Sequence, residues 1–344
     1  MELIRKKAFA RAGLIGNPSD GYHGKTISIG IGNLWAQVSL YEWEQIEIVW
    51  SQEDRSRFDS IGQLAEDVVL HGYYGGVRLV KATIKLFVDY CRRENISLHA
   101  RNFSVRYESN IPRQVGLAGS SAIIIATLRC LMEFYDIEIP LDVQPSLALA
   151  VEREELGIGA GLQDRVSQIY QGAVFMDFGE ATVQEKHGYT CGQYEPLDVT
   201  QLPPLYVAYS INESEPTEVV HNDLRSRYEQ GDPDVIAAMQ RFAQITVAAK
   251  AALAEGDIAG FGQLIDENFD LRRSICNVAS GQERMVRVAR EAGATAKFAG
   301  SGGAIIGTLP DESTFDRLVE KLSPLDCRVI RPEFVPSLAQ SHVE

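Results

Sequence analysis

Pro112-Arg113-Gln114-Val115-Gly116-Leu117-Ala118-Gly119-Ser120-Ser121-Ala122 runs directly into the apolar stretch Ile123 to Tyr135. Two glycines three apart let a backbone approach an anion closely, and two hydroxyls stand where a helix N-cap belongs. The apolar run has the composition of a buried helix, so its free N–H groups and the positive end of its dipole face back onto the loop. The stretch reads as a phosphate cradle. A serine-capped glycine loop without a ligand has the same composition, so the remaining segments must decide between the two.

The bulk numbers narrow the choice. At 344 residues, 45% hydrophobic and 23% charged, the chain can bury a large core divided over two domains. The boundaries are expected at 1–200 and 201–336, with a loose tail at 337–344. A formal net charge of −14 argues against nucleic-acid or anionic-membrane binding, so any phosphate site must be local. The five cysteines are scattered without a C-x-x-C pair and read as reduced thiols. With no long apolar run and no apolar core of a signal peptide in Met1 to Arg11, a cytoplasmic protein is expected, monomeric or homodimeric.

Upstream of the loop, Lys7 to Ile15 has the pattern of a strand, and Gly16 to Gly24 is a dense turn cluster. Thr26 to Ile31 and Leu34 to Tyr41 alternate as a strand pair joined near Gly32-Asn33, and Ile46 to Trp50 extends the sheet. Arg11, Asn17, Ser19 and Asp20 either solvate this corner or receive a polar ligand. Ser60 to Leu70 and Gly76 to Asn95 read as helices joined by His71 to Gly76, and Ser97 to Tyr107 as a strand.

Downstream, a helix over Leu147 to Ile158 carries Glu152, Glu154 and Glu155. Asp164 follows Gly157, Gly159 and Gly161 and precedes the helical run Arg165 to Tyr170, which presents a carboxylate at a constrained corner as a base requires. Gly172 to Phe178 has the pattern of a strand. After the aperiodic stretch Tyr189 to Pro204, the elements follow the β-α-β-β-α-β order of a ferredoxin-like sandwich with extra helices. The hairpin between its middle strands, Gly300-Ser301-Gly302-Gly303, holds more glycine than a turn demands and fits a backbone held near a bound group.

Neither a G-x-x-x-x-G-K-[ST] loop nor the H-R-D and D-F-G pair of protein kinases occurs. Phosphoryl transfer needs a backbone cradle, a magnesium ion on oxygen ligands, a base or orienting carboxylate, and a cation against developing charge. Ser121 and Glu152 can serve the metal, Asp164 the hydroxyl and Arg11 the charge.

The loop PRQVGLAGSSA resembles the second signature of the GHMP kinases, while ARAGLIGNPSDGY is similar to their first and AKFAGSGGAII to their third, in the same order. FARAGLIGNPSD, GYYGGVRL, NIPRQVGLAGSSA, ELGIGAGLQDRV and KFAGSGGA resemble the glucuronokinase branch over nearly the whole chain. The resemblance implies an α+β architecture of two domains, the first like domain 2 of ribosomal protein S5 and the second ferredoxin-like, with ATP and a sugar in the cleft. It implies ATP contacts from Pro112, Gly116, Leu117, Ala118, Gly119, Ser120 and Ser121, and from Gly300, Ser301, Gly302 and Gly303. Magnesium would fall to Ser121 and Glu152, with Glu154 or Glu155 as alternatives to the latter. Asp164 matches the catalytic aspartate and Arg11 the cation that supports it. Asn17, Ser19, Asp20, Tyr22 and Arg113 would face the substrate. Asn17-Pro18 departs from the Glu-His of galactokinase-like relatives, so galactose contacts do not carry over.

The implied reaction is Mg-ATP-dependent phosphorylation of the anomeric hydroxyl of D-glucuronate. A uronate carboxylate calls for an arginine, and Arg78, Arg113, Arg165, Arg225, Arg272 and Arg273 are the candidates. The competing readings are a kinase for galactose, galacturonate or a heptose phosphate, and a non-catalytic sensor of ATP and sugar.

Overall fold

The structure, a computed structural model, describes residues 3–49, 76–211 and 218–339. The expected helix over Ser60 to Leu70, most of the His71 to Gly76 turn and Trp50 lie outside the described residues.

The first half is organised on two strands, β1 (Leu3–Ile15) and β2 (Lys25–Trp43). They pair antiparallel from Leu3 opposite Tyr41 to Ile15 opposite Ile27. The expected hairpin at Gly32-Asn33 is absent: the alternation of Ile27, Ile29 and Ile31 breaks step there and resumes at Leu34, and β2 runs on as one strand. The register shifts there: Phe9 opposes Trp35 and Ala10 opposes Ile31, so residues 32–34 bulge out. The bulge grips the C-terminal segment, with Gly32 N donating to Glu333 O at 2.7 Å and Glu333 N to Asn33 Oδ1 at 2.7 Å.

The other edge of β2 is shared by β4 (Asn102–Ser109) and β5 (Ala173–Asp177). β3 (Glu47–Val49) joins β4 in parallel, and β8 (Gln193–Leu197) joins β5 after a short hairpin, β6 (Gln184–Lys186) with β7 (Tyr189–Cys191). Helices α2 (Gly119–Tyr135) and α4 (Leu162–Tyr170) lie on this sheet, with α1 (Gly76–Arg93) packed on α2 and α3 (Gln144–Ala150) on α4. α2 packs on β1 and β2 with one side and on α1 with another, which is why Ile123, Ile124, Ile125 and Leu128 are all buried.

The free edge of β1 is covered by other parts of the chain, as an unpaired edge requires. Arg129 Nη1 donates to Lys7 O at 2.7 Å, Gln168 Nε2 to Phe9 O at 2.9 Å, and Arg11 N to Leu117 O at 3.3 Å. Gly13 N then donates to Ala299 O at 2.6 Å, which brings the second half of the chain onto the same edge.

That second half holds β9 (Leu205–Ser210), α5 (Glu218–Glu229), α6 (Pro233–Glu255), α7 (Ile258–Ile275), α8 (Ser280–Glu291), β10 (Lys297–Phe298), β11 (Ala304–Thr308), α9 (Glu312–Leu322) and β12 (Cys327–Ile330). Its sheet order, β10-β11-β9-β12 and all antiparallel, is that of a ferredoxin-like sandwich. The final segment is anchored over its first residues: Ser337 Oγ and Leu338 N both donate to Tyr170 O at 3.0 Å, where a loose tail was expected. Residues 340–344 lie outside the described residues.

Candidate active site

The loop before α2 turns through left-handed residues at alternate positions, Gln114, Gly116 and Ala118. Such backbones gather N–H groups into an anion-binding concavity, and α2 adds its own free N–H groups. Gln114 and Ala118 each carry a side chain in that conformation at a cost of about 1 kcal/mol. Gln168 holds the loop from below, its Nε2 donating to Ala118 O at 2.8 Å. Pro112 and the exposed Arg113 stand at its entry. Nothing in the local sequence identifies Gln168, because its partner lies 50 positions away.

Arg11 is the hub. Its Nε donates to Asp164 Oδ1 at 2.6 Å, and its Nη1 to Gly116 O at 2.6 Å and Ala299 O at 3.1 Å. One buried guanidinium thus joins Asp164, the glycine loop and the hairpin of the second domain. Burial is affordable only because every donor direction used has a partner.

Asp164 is the third residue of α4, which begins at Leu162, three residues before the expected start at Arg165. Its second oxygen faces Arg165 Nη1 at 3.4 Å. Asp20 meets the same helix start: its carboxylate lies over Gly161 and accepts from the Gln163 backbone N–H. Burial, and then the neighbouring Asp164 charge, push the Asp20 carboxyl up to about 6, against the pull of that N–H and of Arg11. Two acids and two arginines, Arg11 and Arg165, therefore share the corner.

Of the three glutamates Glu152 is the buried one, on a π-helical turn (Val151–Glu155) that continues α3. Glu154 is exposed and Glu155 pairs with Lys85. Glu152 accepts from Ser120 Oγ at 2.7 Å through Oε1 and pairs with Arg165 through Oε2. Ser121, expected beside it, is fully buried and donates to Ala118 O at 3.2 Å. The hydroxyl the structure brings to Glu152 is that of Ser120.

The hairpin glycines serve contacts within the protein. A Cβ at Gly300 would meet Gly116 O at 2.2 Å, one at Gly302 would meet Gln282 Oε1 at 2.2 Å, and one at Gly303 would meet Val115 Cα at 2.9 Å. At Gly116 the same test gives Gly302 O at 2.7 Å and Ser301 Oγ at 3.0 Å. Backbone lies on backbone between the domains, so the glycine excess is explained by this seam without a bound group.

On the acceptor side, Asn17 accepts from Lys297 Nζ through Oδ1, and its backbone carbonyl accepts from Asn268 Nδ2 at 3.1 Å. Ser19, expected to face substrate, is fully buried and donates to Lys25 O at 3.1 Å, holding the turn itself. Tyr22 packs its ring on Tyr228 of α5 at 4.8 Å between centroids. Of the arginines considered for a carboxylate, Arg165 is committed to Glu152, Arg272 to the carbonyls of Gly300 (2.6 Å) and Ser301 (2.9 Å), and Arg273 to Glu283 (2.8 Å). Arg225 is half-exposed on α5, with Glu229 at 3.7 Å, and its charge acts on Tyr22. Arg78 lies partly buried in the first turn of α1.

The sequence profile described as GHMP kinases N terminal domain matches residues 78–172, and that described as GHMP kinases C terminal matches residues 249–325. "Glucuronokinase 1" of Arabidopsis thaliana is 42% identical over 332 residues, which cover 94% of this chain and 89% of that protein. "Probable glucuronokinase 2" of the same plant is 43% identical over 334 residues, 95% of this chain and 88% of that one. The crystal structure of Lactococcus lactis galactokinase complexed with galactose has the same fold, with a TM-score of 0.75 at 15% identity over 98% of this chain and 95% of that one.

Proposed function

We propose a function from one premise: the chain belongs to the GHMP kinase family. Members transfer a phosphoryl group from ATP to a small-molecule hydroxyl, and the reading supported best here is glucuronokinase, which forms 1-phospho-D-glucuronate and ADP. The observation that carries the chemistry is Arg11, which holds Asp164 at 2.6 Å while bonded to the phosphate loop and to the hairpin. The substrate reading is supported by identity to plant proteins named glucuronokinase over nearly the full chain.

In this reading the left-handed loop Gly116 to Ser120 receives the nucleotide phosphates. Asp164 takes or orients the proton of the 1-hydroxyl, fixed by guanidinium groups on both sides so that it needs no reorganisation. Arg11 stands at the same point against the charge of the transferred group. Asp20 and Asn17 receive sugar hydroxyls.

Magnesium takes one or two carboxylates and keeps several waters beside the substrate phosphates. The residues present fit that demand in part: Glu152 is a carboxylate lying behind the loop beside the hydroxyl of Ser120 on one oxygen, while its buried Oε2 is held by Arg165. Glu152 with the hydroxyl of Ser120, or of Ser121 one residue on, would hold the ion, which when bound neutralises charge on the phosphates.

A panel of glucuronate, galacturonate, glucose and galactose, read by coupled ADP release with and without magnesium, tests the reading. Glucuronate should be turned over at the highest kcat/KM and only with magnesium. Faster turnover of a neutral hexose would overturn the uronate assignment. Sugar binding without ADP release on any of them would leave a sensor in place of an enzyme.

A further inference from the structure

Lys297 is the side chain that the family chemistry leaves unexplained. It is 1% exposed, and among the described residues no carboxylate pairs with it. Its three protons go to neutral oxygens: Gly13 O at 2.7 Å, Phe298 O at 2.9 Å and Asn17 Oδ1. Burial, and then the like charges of Arg272 and Arg11, hold its pKa well below the usual lysine range. An ammonium placed so unfavourably costs stability, and a methionine of similar length would fill the volume without that cost.

What the charge does is visible in its third bond. A full set of three acceptors requires the protonated amine, and the ammonium has no acceptor site of its own. It therefore fixes which end of the Asn17 amide faces it: the oxygen. The Asn17 Nδ2 group makes no hydrogen bond among the described residues, so it is the end left over. Asn17 is otherwise locked, its backbone carbonyl on Asn268 Nδ2 and the preceding Gly16 N on Asn268 Oδ1 at 2.6 Å.

We propose that Lys297 is a positioning residue for the acceptor: reaching across the domain seam, it holds Asn17 by its oxygen and so presents the Asn17 Nδ2 donor to an oxygen of the sugar acid. This rests on the reading that the Asn17 turn receives the acceptor. The second domain thereby sets the polarity of a substrate contact carried by the first.

The test uses the full-length protein and steady-state kinetics with glucuronate and ATP, alongside melting temperature. Asn17→Asp keeps an oxygen toward Lys297 and removes the donor, so it should raise the glucuronate KM at least tenfold, leave the ATP KM within twofold and leave the melting temperature unchanged or higher. Lys297→Met should raise the glucuronate KM by a similar factor in the wild-type background and by less than twofold in an Asn17→Ala background. An unchanged glucuronate KM in Asn17→Asp, or equal effects of Lys297→Met in both backgrounds, would overturn the proposal. If the sugar panel selects a different acceptor, the same variants are measured with that sugar, so the substrate reading and this inference fail separately.

Discussion

Arg11 Nε donates to Asp164 Oδ1 at 2.6 Å across 153 positions of sequence, while Nη1 of the same guanidinium holds the carbonyls of Gly116 and Ala299. The fork reaches the carboxylate from Nε and the two backbone oxygens from Nη1, a spread of positions along one plane that the single Nζ of a lysine does not reproduce. Asp164, the glycine loop and the interdomain hairpin therefore depend on a single side chain.

Arg11→Lys should keep the charge and lose the fork. The expected result is a fall in kcat of roughly a hundredfold, with a smaller change in ATP KM. Steady-state kinetics check it, and a change below threefold would mean that charge alone matters at this position.

The acid pair at the start of α4 gives a prediction in pH. The Asp20 carboxyl is raised to about 6 in the folded chain by burial and by Asp164. Its stabilising contribution is fully present below the unfolded value and is lost as pH rises through about 6. Wild type should lose about 1 kcal/mol relative to Asp20→Asn between pH 5.5 and 7.5, the amount linkage gives for this shift. Denaturant midpoints of the two proteins at both pH values decide it; parallel pH dependence would contradict the raised value.

Gly300→Ala places a Cβ 2.2 Å from Gly116 O, against backbone on one side and the Arg11 guanidinium at 2.9 Å on the other. Gly116 O is backbone and the Arg11 guanidinium is held by its bonds to Asp164, Gly116 and Ala299, so the hairpin must lift off the loop. A loss of at least about 2 kcal/mol in stability is expected, together with a raised ATP KM. A variant as stable as wild type would show that the seam is looser than described.

Much of this was legible in the sequence, and the parts that were not share a cause. The sheet order of the second domain followed from periodicity and element order, because each of β9, β11 and β12 is a short apolar run bounded by turn residues. Gly32-Asn33 was misleading: the same residues that favour a hairpin also favour a bulge, and only the pairing with β1 distinguishes them. Asp164, Arg11 and Glu152 were visible as candidates from the residue pattern and from the family resemblance. Their partners were not: Lys297 meets Asn17 across 280 positions, and no local pattern encodes such a contact. Ser19 shows the converse, a polar residue in a ligand-like turn that the fold consumes internally.

The two loop serines can be separated by experiment. Ser120 touches Glu152 at 2.7 Å, whereas Ser121 is spent on Ala118 O. Ser120→Ala should raise the magnesium concentration for half-maximal activity about tenfold, and Ser121→Ala by less than threefold. The reverse order in a magnesium titration would return the metal to Ser121.

The most direct measurement is turnover of glucuronate by Asp164→Asn, paired with ATP affinity from equilibrium binding. The amide keeps the size of the side chain and its place against Arg11, but it neither takes a proton nor carries charge. ADP release should fall by at least about a thousandfold while ATP binds within threefold of wild type. Near-normal turnover in Asp164→Asn would contradict the account, because the carboxylate that Arg11 holds at 2.6 Å would then have no part in the chemistry.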